Sequence, residues 1–298
     1  MDKISSMLVA VLVSLTTFVS SLFTPVAQLD NIQLIDETVT QELSIVSYNV
    51  YVSGFGKKSP ENRTKAVVDT ILAQKPDSFG LQEVDEGWLE RLSVAMTDYS
   101  FVARGRDADG GGESSPVFYL KDKYTLLDSG VFWLSPTPDK PSRGWDAMMK
   151  RICTYAVLQD KQTGFTYAHF NAHLDHLGAI SRCEAIAVIT EKMSAFEMPL
   201  ILTGDFNGKE GTVMYDRVLE AGLLDTKYLA QESDSGATYH GYTYEDKFNK
   251  KPIDYIFVNN CVDEVASYKI IRNKADGNYP SDHYAVASKL IMTYGKES

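Results

Sequence analysis

Short apolar runs, each closing on an acid, an amide or a histidine, recur along this chain and set its organisation. Residues 43–52, L-S-I-V-S-Y-N-V-Y-V, are dense in Val, Ile and Tyr and read as a central strand with Asn49 near its end. An amphipathic helix follows over 63–74, with Ala66, Val67, Thr70, Ile71 and Ala73 on one side, and Pro76 stops it. The next strand, S-F-G-L-Q-E-V at 78–84, carries Glu83 at its end, and 86–96 reads as a second helix. Further strands are predicted at 116–120, at 131–134 and within 149–158. T-Y-A-H-F-N-A-H-L-D at 166–175 alternates in polarity and crowds Asn171, His173, Asp175 and His176 at its end. A helix over 179–195 precedes the apolar run 198–202, which leads into L-T-G-D-F-N with Asp205 and Asn207. I-D-Y-I-F-V at 253–258 sets Asp254 inside an otherwise apolar strand, and P-S-D-H-Y-A-V at 280–286 brings Asp282 and His283. Strand and helix in alternation argue for α/β layering with a site assembled from strand ends.

Each polar terminus has a cost that asks for a partner. A buried, unpaired amide such as Asn49 costs roughly 1–3 kcal/mol, so it either caps a neighbouring loop or ligates a hard metal through oxygen. Glu83 at the end of an apolar strand calls for a counter-ion or a metal. Asp205 and Asn207, two apart on extended backbone, point the same way and can hold a water and a phosphate oxygen together. The same G-D-x-N letters also make an ordinary turn, because Gly, Asp and Asn all favour turns. The natural partner of Asp254 is a histidine, and His283 is available.

Composition narrows the chemistry. The chain has 298 residues with 44% hydrophobic content and a net charge of -11, which argues against a wholesale electrostatic grip on nucleic acid. Residues 7–23 are apolar, broken only by Ser and Thr, and Pro25 and Ala27 follow. This reads as a secretory signal peptide cut after Ala27, or an uncleaved N-terminal anchor, although the run is short of the about 20 residues of a comfortable span. The expected organisation is therefore a signal or anchor at 1–27, a polar lead-in at 28–42 and one catalytic domain at 43–298, secreted or held at the cell surface. Three widely spaced cysteines, Cys153, Cys183 and Cys261, make neither a disulfide framework nor a metal site.

Several motifs are excluded. D-A-D-G in the polar loop 104–115 invites a calcium-loop reading, but the twelfth position from Asp107 is Phe118 rather than Glu. The glycines of that loop are not followed by Gly-Lys-Ser/Thr, so it is no P-loop. N-A-H-L-D-H at 171–176 lacks the first His of a zinc-hydrolase pattern, and a His/Asp pair touching a phosphate is the preferred reading. Arg104, Glu113, Trp145, Arg151 and His240 remain as pocket candidates.

Taken in order, S-Y-N-V, L-Q-E-V, N-A-H-L-D-H, G-D-F-N, I-D-Y-I-F-V and S-D-H-Y-A-V resemble the endonuclease/exonuclease/phosphatase (DNase I-like) superfamily over about residues 43–292. That resemblance implies a four-layer α/β sandwich, with two packed mixed β-sheets and helices outside. It implies Mg²⁺ held by Asn49 and Glu83, with Asp282 completing or supporting the shell; Mn²⁺ or Ca²⁺ suits the same oxygen donors. It implies that His173 touches the scissile phosphate, that Asp205 and Asn207 orient the attacking water and the phosphate, and that Asp254 orients a catalytic His283. Either Asp205 or His283 could take the proton of the water; Asp205 is preferred, with His283 stabilising the phosphorane. The expected activity is Mg²⁺-dependent hydrolysis of a phosphodiester or small organic phosphate by in-line attack of water. A secreted DNase- or RNase-type nuclease, a phospholipid head group as substrate, and a catalytically idle surface module are the alternatives. No obligate protein partner is implied, and a monomer is expected.

Overall fold

β1 (Val39–Asn49) explains the layering. It sends Leu43 and Ile45 to one side and Val46 and Tyr48 to the other, and all four are buried, as a strand covered on both faces requires. The structure is a computed structural model and describes residues 38–243 and 251–295. After a short turn at Gly56–Lys58 come α1 (Pro60–Leu72), β2 (Ser78–Gln82), α2 (Glu86–Ala95), β3 (Tyr99–Val102) and β4 (Val117–Leu120). They are followed by β5 (Tyr124–Trp133), β6 (Ile152–Asp160), β7 (Thr166–His173), α3 (Ala179–Met193) and β8 (Leu200–Asp205). The chain then forms α4 (Val213–Glu220), β9 (Leu224–Asp225), α5 (Thr226–Leu229) and β10 (Ala230–Ser233). It ends with β11 (Asp254–Val258), β12 (Val262–Ile271) and β13 (Ala285–Tyr294).

The strands form two sheets, one in the order β10-β12-β13-β1-β2-β4-β3 and one in the order β5-β6-β7-β8-β11-β9. Both are mixed: β1 runs parallel to β2 and antiparallel to β13, and β8 runs parallel to β7 and antiparallel to β11. Between the sheets, Leu43, Ile45 and Leu290 of the first meet Leu158, Tyr167, Ile201 and Ile256 of the second. Outside the first sheet, Val46, Tyr48, Phe79 and Leu81 pack with Val67 and Ile71 of α1 and Trp88 and Leu92 of α2. Outside the second, Tyr155 stacks on Phe170, and both meet Phe196 just beyond α3. This is the expected four-layer α/β sandwich.

The inter-sheet face changes character along its length, and this change positions the site. On β1 the inward residues run Leu43, Ile45, Ser47, Asn49, and on β8 they run Ile201, Thr203, Asp205. The middle of the layer is a buried hydrogen-bonded ladder. Ser78 Oγ meets His169 Nδ1 at 2.8 Å, and His169 Nε2 meets Thr203 Oγ1 at 2.9 Å. Gln82 donates to Asn171 Oδ1 at 2.7 Å, while Asn171 donates to Leu81 O and Pro116 O. Such a ladder is stable only because its members are nearly all satisfied. Gly80 sits against it: a Cβ there would lie 2.3 Å from both Asn171 Oδ1 and Thr203 Oγ1.

Several boundaries differ from the sequence reading. α1 begins at Pro60, in the first turn after Ser59, where a missing N–H costs nothing. Ala73 falls beyond it and is exposed, and Val68 is buried in its stead. Residues 39–42, expected in the lead-in, already belong to β1, where Val39 pairs with Tyr294. β5 starts at Tyr124, well before 131, because it is an edge strand whose half-exposed residues break the apolar run. β12 was not expected: register shifts at Val262/Glu264 and Val265/Ser267 disturb its alternation. The segment read as a signal or anchor lies outside the described residues.

Candidate active site

Strand register builds one side of the site. His173 at the end of β7 pairs in register with Asp205 at the end of β8, and Asp205 with Asp254 at the start of β11. The three side chains therefore stand in a row across the second sheet. His283 meets this row from the first sheet, with Nδ1 2.9 Å from Asp254 Oδ2 and Nε2 3.7 Å from Asp205 Oδ2. Its loop is anchored by Ser281 Oγ, which donates to Asn49 O at 2.6 Å. A second tether comes from residues 238–241: Tyr284 N donates to Thr238 O, and His240 N and Gly241 N donate to Asp282 O. The Tyr239 ring lies 4.9 Å from the His283 ring and forms one wall of the cleft.

Burial and charge set the protonation states of this row. Burial raises Asp205, and the neighbouring Asp254 adds to this, pushing it up to about 7. Burial opposes charge on His283, but the carboxylates of Asp254 and Asp205 outweigh it and hold the ring up at about 10. Asp205 is thus held toward its neutral form and His283 toward its cationic form.

The first sheet supplies the acidic side. Glu83 follows β2 with φ 61°, a left-handed conformation that turns its carboxylate back toward β1. Oε1 accepts from Asn49 Nδ2 at 3.0 Å and Oε2 from Val52 N at 2.9 Å. Asn49 Nδ2 also donates to Asp205 Oδ2 at 2.9 Å, while Asn49 Oδ1 accepts from Tyr51 N at 3.0 Å. These partners fix the amide orientation, because a flip would oppose oxygen to two carboxylates. Asn49 is therefore a bridge between Glu83 and Asp205. Asp282 is raised by burial, with the Glu83 charge adding to it and His283 opposing. Glu83 and Asp282 both face the cleft, and among the described residues no Lys or Arg makes an ion pair with either. Two hard oxygen donors that repel one another fit a divalent cation. Asp205, Asp254 and His283 also lie close enough together to hold an ion.

The opposite wall is cationic. Arg151, at the entry to β6, is 7% exposed and reaches His173 Nδ1 with Nη1 at 3.0 Å and His176 Nδ1 with Nη2 at 3.3 Å. Arg106 pairs with Glu113 at 2.9 and 3.1 Å, and Arg151 lies 3.9 Å from the same carboxylate. Asn207, with φ 47°, turns its N–H to Asp205 Oδ1 at 2.9 Å. These walls line an open cleft of about 480 Å³, to which Tyr51, Tyr239, Met148 and Met149 also contribute.

The eight residues singled out from sequence converge: Glu83, His173, Asp205, Asn207, Asp282 and His283 line the cleft, with Asn49 and Asp254 buried behind. Of the pocket candidates, Glu113 and Arg151 line it. Arg104 stacks instead over Trp133, Trp145 is a surface residue outside the lining, and His240 packs between Tyr279 and Tyr284. Asp175 does not face the cleft as the His/Asp reading expected. Its carboxylate accepts Met148 N, Met149 N, Leu177 N and Gly178 N. Burial works against the charge, yet those four bonds hold Asp175 down at about 2. Asn171 likewise points into the inter-sheet ladder, which removes the zinc-like reading of 171–176. Arg106, which the polar loop 104–115 offered as a lining residue beside Arg104 and Glu113, lines the cleft, whereas Tyr239 was missed because it does not stand at the end of an apolar strand.

Two packed mixed sheets thus bring an acid–histidine row and facing carboxylates to one cleft at their strand ends. The chain belongs to the Endonuclease/Exonuclease/phosphatase family, whose model matches residues 46–283. It is similar to a mannosyl-6-phosphatase of Bacteroides thetaiotaomicron, with 32% identity and a TM-score of 0.77 over 83% of this chain and 99% of that one. A family protein of Bacteroides thetaiotaomicron aligns with 30% identity and a TM-score of 0.78 over 85% of this chain and 99% of its own. Human nocturnin is 22% identical over 78% of this chain and 58% of its own length. The CCR4-Not 3'-5'-exoribonuclease subunit Ccr4 of Emericella nidulans is 24% identical over 87% of this chain and 54% of its own. The chain thus spans little more than half the length of these curated relatives.

Proposed function

We propose that this chain hydrolyses the phosphate ester of a small organic molecule, with water as nucleophile. The observation that carries the reading is Asp205. It is held at the cleft between the protonated His283 and Asn49, with its Oδ1 oriented by Asn207 N. Asp205 takes the proton of the attacking water. His283, kept in place by Asp254, donates to the phosphoryl oxygens as charge grows on them, where electrostatic stabilisation counts most. His173 and Asn207 face the same phosphate. Glu83 and Asp282 would hold a divalent cation, Mg²⁺ by preference for octahedral oxygen. That cation would supply charge neutralisation at the phosphate.

The small-molecule reading is supported by the net charge of -11 and the likeness to the mannosyl-6-phosphatase. The relatives named as exoribonucleases support polynucleotide cleavage as the second reading. The purified chain is to be assayed with Mg²⁺ and with chelator. The substrates are p-nitrophenyl phosphate, a 6-phosphorylated mannoside, bis-p-nitrophenyl phosphate, RNA, plasmid DNA and sphingomyelin. Chelator-sensitive release of phosphate from the two monoesters is expected. Cleavage of RNA with both monoesters untouched would overturn the small-substrate reading in favour of the nuclease one.

A further inference from the structure

Arg151 is a nearly buried arginine whose two terminal nitrogens both end on histidine rings. A guanidinium carries five N–H donors, accepts nothing and stays charged at every working pH. At 3.0 Å from His173 Nδ1 and 3.3 Å from His176 Nδ1, it requires a lone pair on each of those nitrogens. A ring with a bare Nδ1 is neutral and carries its hydrogen on Nε2. From this geometry we infer that Arg151 locks His173 and His176 in one tautomer, so that both offer a neutral Nε2–H to the substrate phosphate. Arg151 is then a positioning residue for His173, and His176 is a further phosphate-binding donor.

The surroundings agree. His173 Nε2 lies 3.5 Å from Asp205 Oδ2, an acceptor for its hydrogen. Asn207 Nδ2 lies 3.1 Å from the same Nε2 and donates one hydrogen to Leu174 O, so its second hydrogen competes for a lone pair on Nε2; the ring can accept at one nitrogen only, and the charged guanidinium at 3.0 Å makes the stronger claim, at Nδ1. Burial, with the Arg151 charge adding to it, keeps His173 well below the usual histidine range and hence neutral. The clamp has a fixed base: Asp175, beyond His173, binds the backbone of Met148 and Met149 just before Arg151. Both rings line the cleft. An Nε2–H can bind a phosphate oxygen without adding a full charge, which eases release of the phosphate product.

The inference rests on the phosphoester reading, and its test separates the two. The full chain is prepared with 15N-labelled histidine, and the five rings are assigned with His173→Asn and His176→Gln variants. His240, whose Nδ1 accepts the Tyr242 N–H, is an internal reference for a bare Nδ1. Long-range 1H–15N spectra are expected to show bare Nδ1 and protonated Nε2 for both His173 and His176. Inorganic phosphate is expected to shift both Nε2 resonances. Arg151→Met should mix the tautomers at both rings. His176→Leu should weaken phosphate binding by about tenfold, the worth of one hydrogen bond, and His176→Gln should retain most of it. A protonated Nδ1 on either ring of the wild-type chain overturns the inference. So does phosphate binding that is equal in His176→Leu and wild type. If no phosphoester is cleaved while the spectra and phosphate shifts are as stated, the clamp stands and the hydrolase reading alone falls.

Discussion

Single side chains carry opposite burdens in this fold. Glu83 holds a left-handed backbone and a half-buried charge, and both are tolerated because Asn49 and Val52 N bond it. Glu83→Gln keeps the shape and removes the charge. It is expected to lower kcat at least about a hundredfold, as loss of a preorganised electrostatic partner does, with an unchanged melting curve. His283→Ala should cost about 10²–10⁴-fold, the range of a general acid–base or donor group. Wild-type turnover in either variant would remove the site. His169 acts on stability instead. Burial alone pushes its ring down to about 3, so the folded state requires the neutral form. Its stabilising contribution is whole above about pH 6.5 and is lost as pH falls toward 3. The loss is about 1.4 kcal/mol per pH unit. Urea melts at pH 6 and pH 5 are expected to show that loss in the wild-type chain and its absence in His169→Gln.

At the scale of elements, the close approach of the sheets is the feature with a measurable consequence. Gly80 leaves room for Asn171 and Thr203 at the narrowest point of the inter-sheet layer. Gly80→Ala should destabilise by about 1–3 kcal/mol, the usual cost of overpacking, read as a lower urea midpoint. An unchanged midpoint would mean that β2 and β8 can part without loss. Elements were legible in sequence in proportion to how completely they are buried. β2, β7, β8, β11 and the second half of β1 are covered, and showed in sequence as apolar runs or, for β7, as regular alternation. Edge strands β3, β5 and β10 expose much of their length, and bulged β12 loses its period, so local pattern failed there.

For the molecule as a whole, the acidic balance and the apolar N-terminal segment are its most informative properties. A net charge of -11 places the burden of phosphate recognition on the few cationic groups gathered at the cleft. The segment at 7–23 leads to the proposal that the chain is exported. Expression of the full chain in a secreting host should yield a mature N-terminus just after Ala27, read by N-terminal sequencing. A cytoplasmic chain retaining Met1 would sink that proposal.

The sequence by itself determined the layered α/β class, the inward position of Asn49, Glu83, His173, Asp205 and Asp254, and the pairing of Asp254 with His283. Each of these follows from a local rule: a polar side chain ending a buried strand must have a partner, and few candidates exist. Only the tertiary structure decided which way each group faces. It turned the Asn49 amide to bridge two carboxylates, gave Asp175 to backbone N–H groups, and brought Arg151 onto two histidines. It also moved Arg104, Trp145 and His240 out of the cleft. The reason is register and inter-sheet distance: they bring together residues from 22 to 156 positions apart, and no local period of two or 3.6 residues encodes that separation.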